Sequence, residues 1–181
     1  MHTIAKRILE TYIRDQKILT VPELDLDEEQ KKYLETKDIS FVTIFKNGKV
    51  VGSSGRIHIK RDNTILELID NTLQTIKDER FSQEIKNVED LGNITIRVDI
   101  ISNIQRKVIK NLGQIDVKTD GLILISQDYE KAGIILPNIS NIAIAPDDLF
   151  YLICKKAGLD QDKIKETDYI LYKINSTVYS D

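Results

Sequence analysis

The sequence predicts an α+β fold with mostly antiparallel sheets and flanking helices. Three observations carry that expectation. Asn47-Gly48 divides two strand-like runs, and Asn-Gly is the strongest short hairpin signal because both central residues of a type I′ turn need positive φ. GLILI from Gly121 and GIILP from Gly133 are short unbroken apolar runs joined by QDYEKA, the pattern of a second hairpin, stopped by Pro137. Helical and strand segments are interspersed without a regular βαβ repeat, which favours antiparallel pairing. The 181 residues suit one domain, or one domain with two lobes.

Taken in order, Ile4, Ile8, Leu9, Tyr12 and Ile13 recur at helical spacing, so residues 2–17 read as an amphipathic helix that needs a sheet to cover and is stopped by Pro22. Asp27 to Glu35 reads as a short surface helix with acids in its first turn, where the helix dipole favours them. The hairpin from Ser40 leads into Gly52-Ser53-Ser54-Gly55, read as a sharp glycine turn, then Arg56 and His58. Thr64 and Glu67 have the spacing of a capping box, opening a helix that carries Ile65, Ile69, Leu73 and Ile76 on one face and ends near Lys77. Asp78 to Phe81 forms its exit. Asn93 to Ile101 alternates strictly enough to be a half-buried strand, with Thr95, Arg97 and Asp99 on the polar side. Residues 102–119 read as a loop and a short strand. Pro146 starts a helix with Leu149, Leu152 and Ile153 on one face and Gly158 as its cap, and Asp168 to Tyr179 closes the chain as a final strand.

Composition excludes several classes. At 41% hydrophobic and 30% charged the chain is too apolar for disorder. Its net charge is 26 − 29 = −3, which disfavours a dedicated nucleic-acid binder. Lys46, Lys49, Arg56, Lys60 and Arg61 nevertheless form a basic strip without an intervening acid. The single cysteine, Cys154, excludes an intramolecular disulfide framework and a cysteine-based zinc site. With only His2 and His58, no metal site is expected. No apolar run approaches the roughly 18 residues of a membrane span and no signal core is present, so no membrane association and a cytoplasmic location are expected.

The chemistry that remains is concentrated after the first hairpin. Gly52 to Gly55 lacks the Gly-Lys-Ser/Thr of a P-loop, but two glycines around two serines leave a backbone able to bend and present N–H groups. Gly52, Ser53, Ser54, Gly55, Arg56 and Arg80 are the candidate ligand-binding residues, with the arginines as a clamp for a carboxylate or phosphate. Ser53 and Ser54 are weak nucleophile candidates and His58 a weak base candidate. If the strand runs through Gly55 without a bulge, Ser53 points into the core, while Ser54, Arg56, His58 and Lys60 share the wetter face. Cys154, on the apolar side of its helix, reads as a small core residue. Nothing in the sequence names a cofactor.

Ser40-Phe-Val-Thr-Ile44, Gly52-x-x-Gly55, Asp78-x-Arg-Phe81, Asp120-Gly-Leu-Ile123, Leu136-Pro137, Cys154-Lys-Lys-Ala-Gly-Leu159 and the closing Tyr172 strand stand in the order found in the AMMECR domain family, which includes protein A of the AmmeMemoRadiSam system. The chain resembles that family over essentially its whole length, as a single domain spanning 1–181. The resemblance implies a two-lobed α+β domain with no established activity. It also implies association with Memo-like and radical-SAM proteins, beside which microbial members are often encoded. The family hallmark Leu-Arg-Gly-Cys-Ile-Gly corresponds here to Val50, Val51, Gly52, Ser53, Ser54 and Gly55, so the glycines are kept and the arginine and cysteine are not. Glu79 replaces the usual proline of Asp-Pro-Arg-Phe, and no tryptophan precedes the Cys154 helix; the chain reads as a divergent member.

Three functional readings follow. The favoured one is a non-catalytic binding or accessory protein that uses the Gly52 to His58 turn and Arg80 for a small anionic ligand or a partner protein. The second is an enzyme with Ser53 or Ser54 at the position of the family's cysteine. The third is a nucleic-acid accessory factor using the basic strip, disfavoured by the net charge and by few aromatics for base stacking.

Overall fold

Periodicity divides the apolar residues between two cores, and a computed structural model of the chain, which describes residues 1–138 and 145–181, places each core in its own compact unit. The first unit comprises Met1–Ile100 with Thr177–Asp181, and the second Ile101–Ser176. The fold is α+β: among the described residues, five α-helices accompany two four-stranded sheets. None of those helices is long and apolar enough to cross a membrane.

In the first unit, helix α1 (His2–Asp15) buries Ile4, Ala5, Ile8 and Leu9. It ends seven residues short of Pro22, because Gln16 takes the left-handed conformation and donates its amide to Tyr12. A short helix α2 (Glu28–Lys31), capped by Asp27, and a 3-10 turn (Lys32–Leu34) fill the expected surface segment. Strands β1 (Ile39–Lys46) and β2 (Lys49–Gly55) pair antiparallel around Asn47 and Gly48, both at positive φ as the turn requires. Helix α3 (Thr64–Thr75) packs along β1, β2 and α1. Helix α4 (Glu79–Glu84) follows, and then strand β3 (Ile94–Ile101), whose Ile94, Ile96, Val98 and Ile100 enter the core beside Val42 and Ile44. With a last strand, β8 (Thr177–Ser180), the sheet order is β2-β1-β3-β8.

The second unit is built on strands β4 (Arg106–Val108), β5 (Gly121–Ser126), β6 (Ala132–Ile135) and β7 (Tyr169–Ile174), ordered β4-β7-β5-β6 with antiparallel pairing throughout. Helix α5 (Pro146–Ala157) lays Leu149, Phe150, Ile153 and Cys154 against Leu122, Leu124 and Ile135. Gly158, at φ 68°, caps it in the left-handed conformation that glycine adopts without steric cost.

Four expectations are corrected. The single closing strand is two: Tyr169–Ile174 belongs to the second sheet, while β8 (Thr177–Ser180) pairs with β3 in the first. The break falls at Asn175, whose amide turns to the Gln105 carbonyl. The Thr64/Glu67 capping box does not form. Asn63 caps α3 by accepting from the Leu66 amide, Thr64 bonds to Thr36, and Glu67 is turned away from the helix end and fully buried. Asp99, placed on a solvated face by alternation, is also fully buried, with the Arg97 guanidinium on both carboxylate oxygens at 2.7 Å. Gly52 to Gly55 is not a turn but the end of β2, and neither glycine has positive φ.

Candidate functional site

A bulge decides which way the serines face. The β1/β2 register shifts between Ile44 and Phe45, so that Ile44 opposes Gly52 and Phe45 opposes Val50. The extra residue, Val51, reverses the alternation beyond it. Ser53 therefore does not enter the core: it stands exposed opposite Thr43, with their hydroxyls 3.2 Å apart, and Ser54 is half-buried opposite Val42.

The glycines serve packing rather than bending. A Cβ on Gly55 would lie 2.1 Å from the Phe41 ring, and one on Gly52 would lie 3.1 Å from the Thr75 carbonyl. Their absence of side chains lets Phe41 lie across β2 and lets the C-terminal end of α3 approach it.

Helix α3 turns a polar face toward the end of β2. Glu67, Asp70, Asn71 and Gln74 stand at i, i+3, i+4 and i+7, the spacing of one helical stripe. Across from them Arg56 donates its Nε to Glu67 at 2.8 Å and its Nη2 to Asp70, while Arg61 approaches Asp70 at 3.2 Å. Glu67 also accepts from the Lys60 and Arg61 amides, which pins the segment after β2 against the helix. Burial pushes the Asp70 pKa up, but hydrogen bonds from Arg56 and Arg61 outweigh it and the net shift is downward.

Between this face and β2 lies an open depression of about 350 Å³, lined by Ser53, Ser54, Arg56, Asn71, Gln74, Lys77 and Asp78. Asp78 forms its wall. Its carboxylate takes the Arg80 amide, Nε and Nη2 at 3.1, 2.9 and 2.6 Å, and the Ser53 amide at 3.3 Å. Arg80 thus reaches the site only through Asp78. Among the described residues, the Lys77 ammonium at the rim has no carboxylate within ion-pair distance.

The Arg80 side chain, followed by backbone amides, holds the Asp78 carboxyl down from 3.8 to about 2. A carboxyl whose folded pKa is depressed contributes stability that is fully present above about pH 4 and is lost as the pH falls toward 2. Asp78→Asn is therefore expected to lower stability at neutral pH and to flatten the acid limb of a melting-temperature profile between pH 5 and 2; a limb as steep as in the parent would contradict this role.

The other candidates fall outside the depression. His58 is exposed and, among the described residues, is hydrogen-bonded to neither serine hydroxyl. Cys154 is buried in the other unit, and burial pushes its thiol up to about 11, so it stays protonated and inert near neutral pH. The basic strip is largely neutralised: Lys46 reaches Asp90 at 3.5 Å and Glu84 at 3.9 Å, and Arg56 and Arg61 meet the α3 acids. No group of three potential metal ligands comes together among the described residues.

Sequence reasoning missed Asn71, Gln74 and Lys77. The signal was a polar stripe on α3 running opposite the apolar one, hidden because Glu67 fitted a capping box.

Two units, each with a four-stranded sheet and α-helices, define an α+β protein, with a polar depression beside the first hairpin. The chain belongs to the AMMECR1 family, whose model matches residues 2–179. The chain is similar to the uncharacterized protein PH0010 from Pyrococcus horikoshii. Its crystal structure superposes with a TM-score of 0.71 over 99% of this chain and 89% of that one, at 18% sequence identity. That likeness is one of fold. No curated protein matches the chain.

Proposed function

We propose that the protein is a cytoplasmic binding or accessory protein that holds a small anionic ligand in the depression between β2 and α3, without covalent chemistry. The observation that carries this reading is Lys77. Among the described residues, every other cation lining the depression is already paired with a carboxylate, whereas Lys77, which lines it together with Ser53, Ser54 and Gln74, has no carboxylate within ion-pair distance. Ser53, at the position of the family's hallmark cysteine, supplies a hydroxyl that is far less ionised than a thiol and, among the described residues, bonds to the Thr43 hydroxyl and to no base. That favours binding over nucleophilic catalysis. A partner role beside Memo-like and radical-SAM proteins is the association that family membership implies for such a module.

The test is a thermal-shift titration with inorganic phosphate and with acetate. A ligand at about 100 times its dissociation constant adds about 2.7 kcal/mol to the folded state. Lys77→Ala and Ser54→Ala are expected to weaken the shift about tenfold or more in concentration while leaving the unliganded melting temperature nearly unchanged, since Lys77 is exposed and unpaired. A shift that survives Lys77→Ala at full size places the anion elsewhere.

A further inference from the structure

A second cleft lies wholly in the second unit. It encloses about 820 Å³, more than twice the depression beside β2, a size that suits a small organic ligand. Ile109, Leu112, Phe150, Tyr169 and Leu171 give it apolar walls, with the Phe150 and Tyr169 rings 5.5 Å apart. Lys110 and Glu166 also line it; both are exposed, they carry opposite charges, and among the described residues neither has an ion-pair partner. One wall is the margin of a strand without a neighbour. β4 covers β7 only from Ile174 to Tyr172, and the Ile109 amide extends the pairing to the Leu171 carbonyl at 2.9 Å before the chain turns into the 3-10 segment Leu112–Gln114. Beyond that point Ile170 and Tyr169 have β5 on one side and no strand on the other, and both line the cleft. The Gln127 amide donates to the Asp168 carbonyl at 2.9 Å. Backbone groups alternate sides along a strand, so the Tyr169 carbonyl points away from β5, toward the side left open. Among the described residues no donor reaches it.

Independently of the anion depression, we propose that this cleft binds a short apolar peptide with free termini, extended along the uncovered end of β7. Its apolar side chains rest on the wall that holds Phe150 and Leu112, and one of its N–H groups donates to the Tyr169 carbonyl, as an added strand does at a sheet edge. The two charges set its direction. Lys110 follows the residue bonded to Leu171, and Glu166 precedes the other end of β7. The peptide carboxylate therefore lies at the Leu171 end and its ammonium at the Tyr169 end, so that the peptide runs parallel to β7. The same charges set its length. An extended chain rises about 3.3 Å per residue, which puts ~7 Å between Leu171 and Tyr169. A single amino acid, whose charges flank one Cα, is too short to bridge that distance; two or three residues suit it.

The test titrates the intact protein with the tripeptide Ala-Leu-Ala, with its N-acetylated, C-amidated and doubly blocked forms, and with leucine, read from the backbone amide signals of Lys110 and Tyr169. The free tripeptide is expected to bind about tenfold more tightly than the doubly blocked form or leucine. Lys110→Ala is expected to weaken the free and N-acetylated peptides about threefold and to leave the amidated one unchanged. Glu166→Gln is expected to weaken the free and amidated peptides about threefold and to leave the N-acetylated one unchanged. Both side chains are exposed, so neither variant disturbs folding. Equal binding of the free and doubly blocked tripeptides overturns the proposal, because the two charges then select nothing. Leucine binding as tightly as the tripeptide overturns it as well, as does a pattern in which each variant acts on the opposite terminus. So does the absence of any response at Lys110 and Tyr169. The depression beside Ser53 lies in the other unit, so none of these results bears on the binding role proposed there.

Discussion

Gly55→Ala is expected to lower the melting temperature by about 6–12 °C, corresponding to about 3 kcal/mol of overpacking in a chain of this size. The added methyl falls 2.1–2.5 Å from three atoms of the Phe41 ring, and Phe41 is 8% exposed, with little free space to move into. The two residues are direct cross-strand partners, so the strain cannot be relieved by sliding the strands without breaking the hairpin register on both sides. A second change separates this cause from others: Phe41→Leu in the Gly55→Ala background should recover part of the loss, giving a coupling between neighbours that independent sites do not show. A variant melting within about 2 °C of the parent would show that the ring does not depend on the missing side chain.

Arg56→Ala is expected to cost about 3 kcal/mol in chemical denaturation. The Glu67 side chain is completely buried, and the Arg56 guanidinium, itself three-quarters covered, is its only charged partner among the described contacts. Removing one member of a buried pair leaves the other charge desolvated, which is more damaging than deleting the pair. Glu67→Gln in the Arg56→Ala background should therefore return some of the lost stability despite being a second mutation. Further destabilisation by that second change would mean that the carboxylate is held by the Lys60 and Arg61 amides alone.

The fold was readable where periodicity and turn chemistry agreed. Asn47-Gly48, the alternation from Ile94 and the Pro146 to Gly158 helix each carry their own start or stop signal, and the structure has them within a few residues of the expected ends. The family motifs were likewise legible as an ordered series. What escaped was decided by partners distant in sequence. Glu67 had the right spacing for a cap, but Arg56 and two amides from the preceding loop hold it more firmly than a helix end would. Alternation put Asp99 in water, and Arg97 let it be buried. Both serines line the depression, yet their orientation depended on one bulged residue, Val51, which leaves no local mark. Arg56 and Arg80 looked like a clamp in one dimension; in three, each already grips an acid of its own chain.

The last strand also governs the order of events at the ribosome. Residues from Ile101 to Ser176 lie in the sequence between the two parts of the first unit, so its four-stranded sheet stays one strand short until translation has passed residue 180. Until then β3 presents an unpaired margin with open amides and carbonyls, a template for association with other nascent chains. Its closure depends on a handful of terminal contacts: the β3–β8 pairing, the Tyr33 and Tyr179 hydroxyls at 2.7 Å and the Asp181 carboxylate on the Ile96 amide at 3.0 Å. A nascent chain stalled near residue 176 is thus the species most exposed to quality control.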